Sequence, residues 1–150
     1  MAWVYDDGGR TAAGFRGSAG DCVARAVAIA SGRPYPEVYA ALATGAGSER
    51  KSRGASARNG IHTRRKWFQD YMRSLGFAWT PTMHIGTGCR VHLRANELPA
   101  GRLVVAVSKH LVAVIDGVAH DTHDPARAGT RCVYGYWTGA AIAKAAGGGS

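Results

Sequence analysis

The spacing of apolar residues changes character near Gly76. Before it the pattern is helical. An alanine-rich run from Asp21 to Ser31 predicts a first helix, with Asp21 as its N-cap. Gly32 ends it and Pro34 blocks its continuation. Pro36 opens a second helix to about Thr44, with Val38, Tyr39 and Leu42 on its buried side and Gly45 closing it. Trp67, Phe68, Tyr71, Met72 and Leu75 then recur at helical spacing and predict a third helix over about His62–Leu75, capped by Gly76. Its other face carries Arg64, Arg65, Lys66 and Arg73.

After Gly76 the pattern is that of strands. Phe77–Thr80 is short and stops at Pro81, Met83–Cys89 holds two glycines and reads as a turn or irregular edge, and Arg90–Arg94 alternates like a brief strand. Asn96–Gly101 is a turn, and Arg102–Ser108 is apolar enough to be a central strand. His110–Ile115 and Val118–Thr122 flank Asp116-Gly117, a strong two-residue hairpin signal. Asp124–Thr130 is a loop, and Arg131–Trp137 a last strand. Helices first and an antiparallel sheet afterwards make an α+β fold. The first twenty residues are glycine-rich and polar, with Trp3, Tyr5 and Phe15 as anchors. Residues 45–60 carry almost no large apolar group and read as a mobile loop.

Length and composition bound the picture. With 150 residues, 46% hydrophobic and 19% charged, the chain suits one soluble domain over residues 1–146. The tail Gly147-Gly148-Gly149-Ser150 reads as a linker scar. No apolar run reaches the ~20 residues that span a bilayer, so no membrane role is expected. Met1–Asp7 lacks the basic start and apolar stretch of a signal peptide. Cys22, Cys89 and Cys132 cannot all pair within one chain, which suggests free thiols and a cytoplasmic location.

The net charge of +9 is uneven. Between residues 47 and 73 eight Lys/Arg face two acidic residues, a surplus of +6. Such a segment could contact nucleic acid or an acidic protein. A solvated loop and helix face is the plainer account.

The candidate chemistry centres on Cys22. A thiol at a helix N-terminus meets unpaired N–H groups and the positive end of the helix dipole, which favour the nucleophilic thiolate. Downstream, the hairpin supplies His110 and Asp121. With Asp116 and Gly117 as its loop, Ile115 faces Val118, Val112 faces Asp121 and His110 faces His123. His110 and Asp121 then share one face as diagonal neighbours, their Cβ atoms roughly 7 Å apart. Cys22 as nucleophile, His110 as base and Asp121 as orienter form a triad suited to acyl chemistry. Singly, each residue has a plainer explanation: a buried thiol, a structural histidine, a turn-capping aspartate.

The order Cys–His–Asp, with Asp21-Cys22 opening a helix, His110-Leu111-Val112-Ala113-Val114 beginning a strand and Asp121 after the next turn, resembles the papain-like cysteine peptidase superfamily. The likeness is to its small bacterial branch, similar to the peptidase domains of bacteriocin exporters. Gly32-Arg33-Pro34-Tyr35, Glu37-Val38-Tyr39 and Ile85-Gly86-Thr87-Gly88-Cys89 are similar to stretches of uncharacterised small proteins common in bacteriophage genomes, which implies a phage-encoded protein acting in a host cytoplasm. The resemblance implies a helical half carrying the cysteine, a sheet half carrying the histidine, and a cysteine-dependent peptidase, amidase or isopeptidase acting on a peptide or protein. Such families place Gln or Asn shortly before the cysteine as an oxyanion donor. Here neither is present, leaving the Cys22 N–H and Ser18 as candidates. An inactive relative that only binds, or a basic binding protein using residues 47–73, is the alternative.

No cofactor is expected. His84, Cys89, His92, His120, His123, Asp124 and Cys132 could be assembled into a zinc site on paper, but no ligand spacing supports one. Gly86-Thr87-Gly88 is not followed by Gly-Lys-Ser/Thr and is no phosphate loop. Cys89 and Cys132 read as packing residues, and Tyr134, Tyr136 and Trp137 as a core face.

Overall fold

The computed structural model describes residues 1–14, 22–47, 63, 65–84 and 86–139. Phe15, Ser18, Asp21, Arg64, most of the 45–60 loop and the 147–150 tail lie outside the described residues.

The first segment with regular structure is one the sequence pattern did not predict, strand β1 at Trp3–Tyr5. Helices α1 (Cys22–Ser31), α2 (Tyr35–Gly47) and α3 (Lys66–Ser74) follow. Strands β2 (Ala78–Pro81), β3 (Arg102–Val107), β4 (His110–Ile115), β5 (Val118–Asp121) and β6 (Val133–Thr138) complete the chain, with a short 3-10 turn at Ala95–Glu97. The six strands form one sheet in the order β1-β5-β4-β3-β6-β2. The sheet is mixed rather than antiparallel, because β1 runs parallel to β5. Trp3 and Tyr5 are not anchors: as residues of this edge strand they stay exposed.

Alternation along the strands divides the core in two. Val104, Leu111, Ala113 and Trp137 face the helices. Leu103, Val105, Val107, Val112 and Val114 face the other way, where Leu93, Leu98 and Ala126 cover them. Alanines let α1 lie close on the sheet: Ala24, Ala26, Ala28 and Ala30 are all buried. Gly32, at φ +73°, ends α1 in the left-handed conformation, its N–H bonding the Ala28 carbonyl. α3 starts later than the pattern predicts, because Arg65 is extended (φ −67°, ψ 143°). Only the single bridge His92↔Cys132 forms where Arg90–Arg94 reads as a strand. In β6, Trp137 enters the core, whereas Tyr134 is exposed and Tyr136 half-buried.

Gly45 does not close α2, which continues to Gly47. The Trp67 ring of α3 lies against the bare Cα of Gly45, in space a Cβ would occupy. Glycine therefore serves helix packing here rather than termination. Gly45→Ala is expected to destabilise the fold by about 1–3 kcal/mol despite alanine's better helix propensity, since the ring must move. Denaturant unfolding of the variant beside the parent checks this. Equal or greater stability would show that Trp67 relocates freely.

The cysteines require a correction. Cys89 and Cys132 form a disulfide, their Cα atoms 5.8 Å apart, and only Cys22 is free. An odd count shows that one cysteine is left over, not that all three are. The bond joins the irregular 82–92 segment to the entrance of β6 and removes the basis for inferring a reducing compartment. Among the described residues, no helix is long and apolar enough to cross a membrane.

Candidate active site

One end of the sheet collects the candidate residues. β4 begins there with His110, β5 ends there with Asp121, and α1 begins there with Cys22. The hairpin sets the first two. Asp116 (φ 48°) and Gly117 (φ 80°) form the two-residue loop, and Ile115↔Val118, Val114↔Ala119 and Ala113↔His120 follow in register. His110 and Asp121 therefore fall on one face, and His110 Nε2 lies 2.6 Å from Asp121 Oδ2. From the outer edge, the Asp6 N–H bonds the Asp121 carbonyl at 2.9 Å, fixing the backbone that bears the carboxylate.

The His110 ring and the Leu111 backbone N–H both lie near enough to the Cys22 sulfur to favour its thiolate. Leu111 lies beyond the last β4–β5 residue pair, Ala113↔His120.

Electrostatics favour the ion-pair form of this cluster. Burial opposes the Cys22 thiolate, yet the His110 hydrogen bond and charge, the Leu111 N–H and the Arg25 charge bring the thiol below its ordinary range. Burial likewise opposes the His110 charge, but the bonds to Asp121 and Cys22 and their negative charges raise it to about 9. Asp121, only 3% exposed, would be raised by burial. His110, the Thr122 N–H at 2.7 Å and the charge of His123 instead hold it below the usual carboxylate range.

Two more basic groups approach the carboxylate. Arg25 Nη2 lies 3.9 Å from Asp121 Oδ1. Arg25 stands three residues after Cys22 on α1, so the helix that bears the candidate thiol also brings a cation to the carboxylate; that spacing was readable in the sequence. His123 Nδ1 lies 3.9 Å from the same oxygen, and its exposed ring is 5.2 Å from the His110 ring, as the extended hairpin register predicts.

The zinc set read from the sequence is dispersed. Cys89 and Cys132 are bonded to each other, His92 Nδ1 contacts Glu97 Oε1 at 3.2 Å, and His120 Nδ1 contacts Asp6 Oδ2 at 3.4 Å. The metal-capable group among the described residues is His110, Asp121 and His123. In this arrangement the 2.6 Å separation of His110 Nε2 and Asp121 Oδ2 is a direct hydrogen bond. Two ligands of one tetrahedral zinc would stand about 3.3 Å apart. Of the basic segment's described cations, Lys66 and Arg73 both pair with Asp70.

No family model matches the chain, and neither a curated protein nor a solved structure does.

Proposed function

We propose that the chain is a cysteine-dependent hydrolase of papain-like arrangement, cleaving an amide-type bond through Cys22, His110 and Asp121. The observation that carries this reading is one imidazole held between two partners. Its Nε2 is 2.6 Å from a buried carboxylate, and the ring lies near enough to a thiol that opens a helix for each to favour the other's charged form. The residue order along the chain and the division into a helix-borne sulfur and a sheet-borne histidine agree with it.

The chemistry follows from these groups. The Cys22 thiolate attacks the carbonyl carbon, and the resulting oxyanion faces the positive end of α1, whose first N–H groups lack partners within the helix. The amide nitrogen takes the proton of imidazolium His110 as the C–N bond breaks, leaving a thioester on Cys22 and a free amine. His110, now neutral, removes a proton from water. The hydroxide formed displaces the sulfur, which leaves as thiolate, while the proton remains on His110. Asp121 keeps the ring oriented and stabilises its charge throughout. The basic-surface reading has less support: Lys66 and Arg73 pair with Asp70 on the surface of α3, and no comparable cluster of chemistry accompanies them among the described residues.

A thiol-directed probe tests the proposal without a known substrate. In non-reducing buffer, iodoacetamide is expected to label Cys22 alone, with a pH midpoint below that of a free thiol, about 8.5. His110→Ala should move that midpoint up. A wild-type midpoint at or above the free-thiol value would overturn the reading.

A further inference from the structure

We infer that Arg131 is a positioning residue of the Cys22–His110–Asp121 site, tying together the two loops that aim His110 and Asp121; this rests on the hydrolase reading above. The side chain is an unusual one to bury. Arg131 is 9% exposed, and among the described residues no carboxylate lies within salt-bridge distance of it. Its Nε has no hydrogen-bond partner among the described residues. An unpaired guanidinium is costly to remove from water, so its placement calls for a local role.

Its contacts supply one. Nη2 donates to the Ser108 carbonyl at 2.6 Å, and Nη1 to the Pro125 carbonyl at 3.3 Å. Ser108 and Lys109 form the turn from β3 into β4, and His110 is the next residue. Lys109 adopts φ 55°, a left-handed conformation disfavoured for a residue with a side chain, and the Arg131 bond to the Ser108 carbonyl holds the peptide just before it. Pro125 begins the loop after Asp121 and His123, in which Arg127 (φ 50°) and Ala128 (φ 56°) are likewise left-handed. The Arg131 backbone N–H adds a bond to the Ala126 carbonyl at 3.2 Å. One planar group thus spans the turn before the base and the loop beyond the orienter. The fork geometry matters: lysine keeps the charge but offers a single nitrogen in place of two donors held apart. The neighbouring Cys132, bonded to Cys89, anchors the backbone from which Arg131 reaches. Burial lowers the proton affinity of the Arg131 guanidinium, while the charges of Asp121 and Cys22 partly offset that.

Arg131→Lys and Arg131→Gln test this with three readouts: the pH midpoint of Cys22 alkylation, the acylation rate with p-nitrophenyl acetate, and thermal unfolding. Both variants are expected to slow acylation at least tenfold at a temperature where they are folded, and to raise the alkylation midpoint toward that of a free thiol. If the glutamine variant does not fold, the lysine variant alone decides. Full rescue by lysine would show that charge, not bridging, is what matters, and would overturn the inference. So would a lowered melting temperature with unchanged midpoint and rate, the mark of a merely structural residue. A wild-type protein with an ordinary alkylation midpoint would instead remove the hydrolase reading itself, so the two failures are separable.

Discussion

Cys22→Ala is expected to abolish acyl transfer, lowering turnover by roughly 10⁴- to 10⁶-fold, as removal of a nucleophile does in comparable triads. The fold should survive. Cys22 is half-buried at the first position of α1, while the buried residues behind it, Val23 to Ser31, hold the helix to the sheet. Alanine is also a better helix former than cysteine. The measurement is the burst of p-nitrophenolate from p-nitrophenyl acetate, with circular dichroism as the control for folding. The wild type should release about one equivalent before steady state, as an acyl-enzyme forms, and the variant none. A burst that persists in Cys22→Ala would place the nucleophile elsewhere and dismantle the proposed mechanism.

The second large effect concerns Asp121→Asn. In the wild type, activity should rise as Cys22 ionises, below the ordinary thiol range, and fall as His110 loses its proton at about 9. The sign of the aspartate's influence is clear: its negative charge and hydrogen bond raise the histidine's affinity for a proton. Asparagine removes the charge, so His110 should titrate lower and the alkaline limb should move down by about one unit or more. Rate should also fall, by roughly a hundredfold to ten-thousandfold, since asparagine can present an N–H to Nε2 and favour the wrong tautomer. A pH–rate profile of the ester reaction from pH 5 to 10 checks both effects. An alkaline limb unmoved in Asp121→Asn would mean that the carboxylate does not govern His110.

Local signals made the central hairpin legible. Asp116-Gly117 is a turn that few dipeptides imitate, and the period of two carries its register outward to His110 and Asp121. The starting point of α1 was similarly visible from glycine, aspartate and the alanine run. Other features depend on contacts distant in sequence. β1 is three residues long and pairs with β5, more than a hundred residues away; nothing in Trp-Val-Tyr announces that partner. Gly45 carries the sequence mark of a helix end, but the ring that makes glycine necessary there belongs to α3. Arg131 reads as the first residue of a strand, and only the folded positions of Ser108 and Pro125 give its side chain a purpose. The pairing of Cys89 with Cys132 spans 43 positions and follows from neither parity nor spacing.

That cystine has a practical consequence for anyone who handles the molecule. Enzymes with a reactive sulfur are commonly stored with dithiothreitol, which reverses accidental oxidation of the nucleophile. The same additive attacks disulfides by thiol exchange, and here one of the two sulfurs, that of Cys89, belongs to an exposed residue. Opening the bond would free the strand entrance beside Arg131 and introduce two competing thiols. On the proposed reading, the protein needs opposing redox conditions, reducing enough to spare Cys22 and oxidising enough to keep Cys89 and Cys132 joined.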